Sequence, residues 1–195
     1  MNICQNPYSL LNTFFRSIPF NSPIIIFILY YFTKKIELFN LFIGTLVINF
    51  ISVPLFKQIF RILLDLYSNY ITKDSTNNEL PFIGLITRPS GAKNCGCFYI
   101  DENNYSTSSG MPSGHSMLIG FICIYIYYFI KNLYKNNINL NYSNHIILIL
   151  VLILITSYMM YTRVMLGCHT IEQTIMGVLI GGILGYYYYK YFSKC

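Results

Sequence analysis

The sequence predicts an all-α membrane protein, a polytopic bundle of about five transmembrane helices. Hydrophobic residues make up 54% of the chain and charged residues only 10%, whereas soluble domains carry about a quarter charged residues. Long apolar runs recur along the chain and are bounded by polar or basic residues. The length of 195 residues suits one domain, and we take 1–195 as a single membrane-embedded unit.

Five apolar runs define the predicted helices. A transmembrane helix needs about 20 residues, so several of these runs must extend into their flanks or lie tilted. The first is the shortest and could instead be re-entrant or interfacial. The runs are approximately 19–32, 36–56, 113–128, 146–161 and 174–189.

Two further features complete the predicted architecture. Residues 55–70 form an amphipathic pattern with charged positions, which is typical of a helix at the membrane surface, and a polar loop over 72–110 follows it. In the last predicted helix, Gly177, Gly181 and Gly185 recur every four residues. This spacing predicts a smooth face that packs closely against a neighbouring helix.

Two histidines stand in contexts suited to phosphate chemistry. Residues 110–115 read Gly-Met-Pro-Ser-Gly-His, residues 162–169 read Thr-Arg-Val-Met-Leu-Gly-Cys-His, and Arg88-Pro89 lies upstream. If the predicted spans alternate in direction, both histidines and both arginines fall on one side of the membrane. A neutral histidine can attack phosphorus and a protonated one can protonate the leaving group, while arginine matches phosphate oxygens. The backbone amides before the third helix can also hold an anion.

These three segments together resemble the signature of the type 2 phosphatidic acid phosphatase (PAP2) superfamily, membrane enzymes that remove phosphate from lipids through a phosphohistidine. The resemblance covers about residues 80–182. It implies that His169 is the nucleophile and His115 the acid. It also implies a phosphate-binding set and chemistry that needs neither a metal nor another cofactor. The implied phosphate ligands are Arg88, Ser113, Gly114 and Arg163.

The chain departs from the family pattern at two positions. Pro81 stands where the first motif has a lysine; Lys93, which we include among the phosphate-binding candidates, or Lys57 could replace it. Gln173 stands where an aspartate usually orients the nucleophilic histidine. One helical turn separates Gln173 from His169, so its side-chain carbonyl can still accept the imidazole N–H. Glu172, three residues after the histidine, could add a negative charge.

The same details direct the choice of substrate. Dolichyl-diphosphate phosphatases are similar in having Gly-Met-Pro-Ser before the second-motif histidine and His-Thr…Gln in the third motif, which favours a polyprenyl diphosphate over other lipid phosphates. Two alternatives stay open: a non-catalytic relative that binds lipid phosphates, and a phosphotransferase that uses the same histidine. The expected partners are the substrate and membrane lipids. Oligomeric state stays open.

Other classes of function fit the sequence less well. The net charge of +6 does not indicate nucleic-acid binding, because the basic residues are scattered at the ends of apolar runs. A metal site built from both motif histidines and Glu172 lacks a recognised ligand spacing. The six cysteines show no zinc spacing. Cys168 is expected to pack within a helix, and the loop cysteines around Gly96 could be free or paired with Cys4.

Charge distribution orients the predicted bundle. The side opposite the motifs carries six lysines in short loops and tails against one acid, whereas the charges on the motif side lie mostly in the long loop and the site. By the positive-inside rule, the lysine-rich side is cytoplasmic, so the site should face the lumen or the exterior. The six lysines are Lys34, Lys35, Lys131, Lys135, Lys190 and Lys194.

Overall fold

The computed structural model describes residues 7–71, 88, 93–95, 100–105, 109–136 and 142–193. Six α-helices account for most of these residues: α1 Pro7–Thr33, α2 Ile36–Val47, α3 Val53–Ile71, α4 Gly114–Asn136, α5 Tyr142–Met165 and α6 Ile171–Phe192. A π-helical segment, Ile48–Ser52, joins α2 to α3 without a break. The predicted all-α bundle is confirmed. A short antiparallel ribbon of β1 (Lys93–Cys95) and β2 (Ile100–Tyr105) lies in the loop before α4 and was not predicted.

Four stretches of the described chain are long and apolar enough to cross a membrane: Thr13–Thr33, Ile36–Tyr67, Gly114–Lys135 and Ile146–Met165. With its 22 residues α6 has the length for a span. Its glycines and its run of four tyrosines lower its hydropathy below that of the other four. The protein is therefore a multi-pass membrane protein whose last helix is less apolar than the rest.

Contacts at the two ends of the bundle show that the passes alternate in direction. At one end the Asn40 side chain donates a hydrogen bond to the Phe192 carbonyl (2.7 Å), and the Tyr125 hydroxyl donates to the Glu37 carbonyl (2.8 Å). At the other end an imidazole nitrogen of His115 lies 3.0 Å from the Arg16 carbonyl oxygen. The beginnings of α4 and α6 therefore lie at the same end, which is the end that carries the motifs.

The first helix is much longer than the predicted 19–32, since it begins at Pro7 and contains two prolines. Proline usually starts a helix because it has no N–H to donate, yet Pro19 and Pro23 both lie inside this one. Pro23 leaves the Pro19 carbonyl without its helical donor. The Asn49 side chain supplies a replacement, with Nδ2 lying 2.9 Å from that carbonyl oxygen. A contact between helices thus satisfies the acceptor that the sequence leaves open.

The predicted break between a second span and a surface helix was also wrong. α2, the π-helical segment and α3 form one continuous helix from Ile36 to Ile71. The π-helical turn contains Asn49, and π-turns within α-helices shift the faces of the residues that follow. Large apolar side chains on the outer face of α3, Leu55, Ile62 and Leu66 among them, are at least half exposed. Their exposure suits contact with lipid.

The core of the bundle is the interface between α4 and α6, which is the most extensive helix pair in the structure. Gly177, Gly181 and Gly185 all lie against the backbone of α4, near Ser113, Met117 and Phe121 respectively. The predicted smooth face of the last helix therefore packs on α4. Without side chains on this face of α6, the two backbones approach closely enough for extensive van der Waals contact.

Candidate active site

The turn between α5 and α6 places His169 beside Arg163. α5 ends at Met165, and Gly167 follows with φ of +65°, a left-handed conformation that glycine adopts without steric cost. The chain then reverses, so that the amides of Cys168 and His169 both donate to the Arg163 carbonyl, at 3.1 and 3.3 Å. Six residues apart in sequence, the arginine and the histidine are joined by this turn.

Gln173 fixes the orientation and the tautomer of His169. Imidazole Nδ1 lies 3.1 Å from Gln173 Oε1. The backbone N–H of Thr170 donates to the same atom at 3.3 Å. Because an N–H needs an acceptor, this atom is the side-chain oxygen of Gln173 and not its nitrogen. Gln173 Oε1 therefore faces Nδ1, which must carry the hydrogen. Nε2 is left with its lone pair, as a nucleophile requires.

The same glutamine ties the two histidine motifs together. Gln173 is fully buried. Its backbone carbonyl accepts a hydrogen bond from the Ser113 amide at 3.1 Å, and a methyl group added to Gly110 would lie 2.5 Å from its Nε2 atom. The Ser113 amide is thus used within the protein, contrary to the prediction that both turn amides face an anion. The buried Ser113 hydroxyl accepts a hydrogen bond from the Ser116 hydroxyl at 3.1 Å. This hydroxyl, and not the backbone amide, is the group that Ser113 has left for an anion.

His115 is held by the backbone of α1. Its Nε2 lies 3.0 Å from the Arg16 carbonyl oxygen, and a carbonyl can only accept. Nε2 therefore carries a hydrogen, and Nδ1 is the nitrogen left to exchange a proton with a bound group. Sequence reasoning missed this partner, because a backbone carbonyl leaves no signal in the identity of the residue.

Positive side chains surround the two histidines. Arg163 is 2% exposed. Arg88 donates from Nη1 to the Cys168 carbonyl at 3.5 Å, which anchors the long loop next to His169. The charges of both arginines act on His169, and that of Arg163 also acts on His115. The structure thus brings together the four residues that sequence reasoning placed on one side of the membrane.

The other residues that the sequence predicted for the site agree with the structure to different degrees. Gly114 is the first residue of α4, with Val53 of α3 against its Cα. Glu172 is fully exposed, and a hydrogen bond from the Thr170 side chain lowers the pKa of its carboxyl, so it does not supply the charge expected of it beside His169. Lys93 is the first residue of β1, but its side chain is not among those that the structure describes. Pro81 lies entirely outside the described residues. Within the described ranges, no group of three or more His, Cys, Asp or Glu side chains could hold a metal.

The electrostatic environment keeps His169 neutral. Burial, and then the positive charges of Arg88 and Arg163, lower the pKa of the imidazole to about 3, against the smaller opposing effect of the hydrogen bond to Gln173. At neutral pH the ring therefore carries a lone pair and no charge. A phosphate dianion entering this positive pocket would be attracted by the arginines, and its charge would offset theirs.

This geometry agrees with the comparison of the sequence with protein families. The profile of the PAP2 superfamily matches residues 54–195, a range that includes α4, α5, α6 and every residue of the site except the Arg16 carbonyl and Val53. The chain belongs to the PAP2 superfamily. No curated protein and no solved structure matched the chain. PAP2 membership implies a phosphatase that acts on lipid phosphates.

One feature of this PAP2 site was not anticipated. Cys168, which precedes His169 and is fully buried, is disulfide-bonded, whereas sequence reasoning expected simple packing. Cys123, the other cysteine whose side chain the structure describes, is a buried free thiol. The partner of Cys168 therefore lies outside the described side chains.

Replacing Gln173 with leucine should lower kcat by about 10- to 100-fold, because the hydrogen bond that orients a reacting histidine is lost. It should also lower the free energy of unfolding by about 1 kcal/mol, since Gln173 and Thr170 form the capping box at the start of α6. The matched control is Thr170→Ala, which removes the cap but leaves Gln173 in place. Steady-state kinetics and thermal melting of both variants separate the two effects. Equal loss of kcat in the two variants would contradict an orienting role for Gln173.

Proposed function

We propose that this PAP2 protein hydrolyses a lipid phosphate or a polyprenyl diphosphate of the dolichyl type, without a metal, through a phosphohistidine at His169. The observation that carries the proposal is the contact between His169 Nδ1 and Gln173 Oε1. It leaves a neutral Nε2 lone pair in a buried pocket lined by two arginines. A nucleophile with that protonation state and that charge environment suits attack on a phosphate and suits few other reactions.

The reaction proceeds in two steps. His169 Nε2 attacks the terminal phosphorus and forms an N–P bond, while the bond from phosphorus to the departing oxygen breaks. That oxygen is the lipid oxygen of a monophosphate or the bridging oxygen of a diphosphate. As the phosphate dianion offsets the surrounding positive charges, His115 takes up a second proton from water at Nδ1 and gives it to the departing oxygen, while its Nε2 hydrogen stays directed at the Arg16 carbonyl. Water then attacks phosphorus, with His115 accepting a proton, and inorganic phosphate leaves as His169 is regenerated. Arg88 and Arg163 stabilise the charge on the phosphate oxygens in both steps.

Sequence details support the choice of a polyprenyl diphosphate within the lipid phosphates. Gly110 lies directly against the Gln173 amide, so the Gly-Met-Pro-Ser segment and the glutamine, the two details shared with dolichyl-diphosphate phosphatases, form one contact. The test is phosphate release by the detergent-purified protein in EDTA, with phosphatidic acid and a polyprenyl diphosphate compared at equal concentration. Faster release from the diphosphate supports this choice, and faster release from phosphatidic acid contradicts it. No release from either lipid would contradict the proposed hydrolysis.

The disulfide at Cys168 supports the proposed orientation. Disulfides persist in oxidising compartments and are rare on the cytosolic side of membranes. Cys168 lies at the site end of the bundle. The other end carries Lys34 and Lys35 between α1 and α2, and Lys131 and Lys190 near the ends of α4 and α6. Both observations favour a site that faces the lumen or the exterior.

In a host that glycosylates secreted proteins, we expect modification at the sequon Asn104-Tyr105-Ser106 and not at Asn141-Tyr142-Ser143. Peptide mapping by mass spectrometry without reduction should find Cys168 in a disulfide in the same sample. Asn104→Gln serves as the control that removes the expected shift in mass. Modification at Asn141 instead would place the site on the cytoplasmic side.

A further inference from the structure

Lys57 lies on the inner face of α3, although it is a charged residue inside a stretch long and apolar enough to span the membrane. Val53, Phe56 and Phe60 share its face and are partly buried, while Leu55 and Ile59 on the outer face are exposed. A lysine whose stem packs on the inner face of a helix is partly desolvated, which is costly unless a negative group pairs with it. Lys57 thus occupies a position at which the helix pattern would otherwise place an apolar side chain.

Two contacts fix the height of Lys57 relative to the site. Gly44 of α2 lies against the Phe121 ring, and Val53 lies against Gly114, the first residue of α4. The continuous helix of α2 and α3 therefore runs antiparallel to α4. Lys57 follows Val53 by one turn, about 6 Å further along the axis. That step carries Lys57 beyond the first residue of α4, to the level of the Ser113 turn and the two histidines.

The charges around Lys57 agree with this position. Arg88 and Arg163 both act on its ammonium group, and Lys57 acts in turn on His115 and His169. The charges of the described residues that act on Lys57 are thus positive. Three cations that converge from the long loop, α5 and α3 repel one another in a partly buried site, and a bound anion removes that repulsion.

We propose that Lys57 is a third phosphate ligand, which reaches the anion from α3, while Arg88 reaches it from the long loop and Arg163 from α5. This assignment rests on the proposed function, and it makes a lysine at position 81 unnecessary. An ammonium on a flexible four-carbon chain can follow the phosphoryl group as it moves from the lipid oxygen to His169, whereas the planar arginines suit fixed paired contacts.

Lys57→Met should weaken binding of inorganic phosphate, measured by calorimetry on the detergent-purified protein, by about 10- to 100-fold, and should lower kcat/KM for the lipid by a similar factor. Lys57→Arg should recover part of both. The matched control is Arg61→Met, which removes an exposed charge one turn further along α3 and should leave both values unchanged. Melting temperatures show whether each variant is folded, and Lys57→Gln replaces Lys57→Met if the latter does not fold.

The possible results separate this inference from the proposed function. If Lys57→Met behaves like Arg61→Met, or loses turnover while binding phosphate as tightly as the wild type, Lys57 is not a phosphate ligand. If the wild type binds phosphate but releases none from any lipid, the proposed hydrolysis fails, and the phosphate affinities of the variants still decide the role of Lys57. Absence of phosphate binding by the wild-type protein would overturn the assignment.

Discussion

His169→Ala is expected to lower kcat for phosphate release by at least about 10⁴-fold, a loss typical of removing a nucleophile. His169 Nε2 is the atom that forms the bond to phosphorus in the proposed mechanism, and alanine offers no substitute. With a substrate labelled in its terminal phosphate, the wild-type protein should acquire label that survives alkali and is lost in acid, as a phosphoramidate is. The variant should acquire none.

The control for this experiment is His145→Ala, which removes the one histidine outside the two motifs and should leave turnover near that of the wild type. Near-normal activity of His169→Ala would rule out the phosphohistidine. Loss of activity together with continued labelling would move the nucleophile to another residue. His115→Ala is a useful companion, because it should slow departure of the lipid while leaving the nucleophile in place.

Gly181→Ala is expected to prevent stable association of α4 with α6. A methyl group at this position would lie well inside van der Waals contact with the Met117 carbonyl oxygen. Backbone cannot move aside as a flexible side chain can. Overpacking of a core usually costs about 1–3 kcal/mol, and the cost at Gly181 should reach or exceed the upper end of that range. The variant should express poorly, or melt far below the wild type in the same detergent.

The neighbouring residue provides the control. A methyl group on Gly182 would meet the Ile124 side chain at 3.3 Å, a tight contact that a shift of that side chain by a few tenths of an ångström relieves. Gly182→Ala should therefore melt close to the wild-type temperature, and it should gain slightly from the higher helix propensity of alanine. If both variants melt alike, close packing at Gly181 does not determine the stability of the bundle.

Much of this architecture could be predicted from the sequence because apolar periodicity and motif spacing are local signals. The five apolar runs gave the helices of the bundle, and alternation of the runs placed His115 and His169 at one end. The contact between Gln173 and His169 also follows from local geometry, since one helical turn brings their side chains together. The glycine spacing of α6 indicated a close partner without identifying α4.

What the sequence did not predict depends on contacts between distant segments. Extension of α1 through Pro19 is stabilised by Asn49, which lies 30 residues away. The His115 partner is a backbone carbonyl 99 residues earlier. Lys57 was named from the sequence as a candidate to replace the motif lysine, but the single continuous helix that carries it, Ile36 to Ile71, was not predicted. In each case, tertiary contact outweighs a local preference, and no short window of sequence contains both partners.

The glycine face of α6 has a consequence for the chemistry. His115 is the second residue of α4, and His169 precedes α6 by two residues. The distance between the proposed acid and the proposed nucleophile therefore depends on how far one helix has slid along the other. A slip of one turn would change that distance by about 5.4 Å, beyond the reach of proton transfer. The geometry at the membrane face is thus set by van der Waals contacts deep in the bundle. The physical state of the surrounding lipid or detergent, which bears on helix association, thereby becomes one of the determinants of turnover.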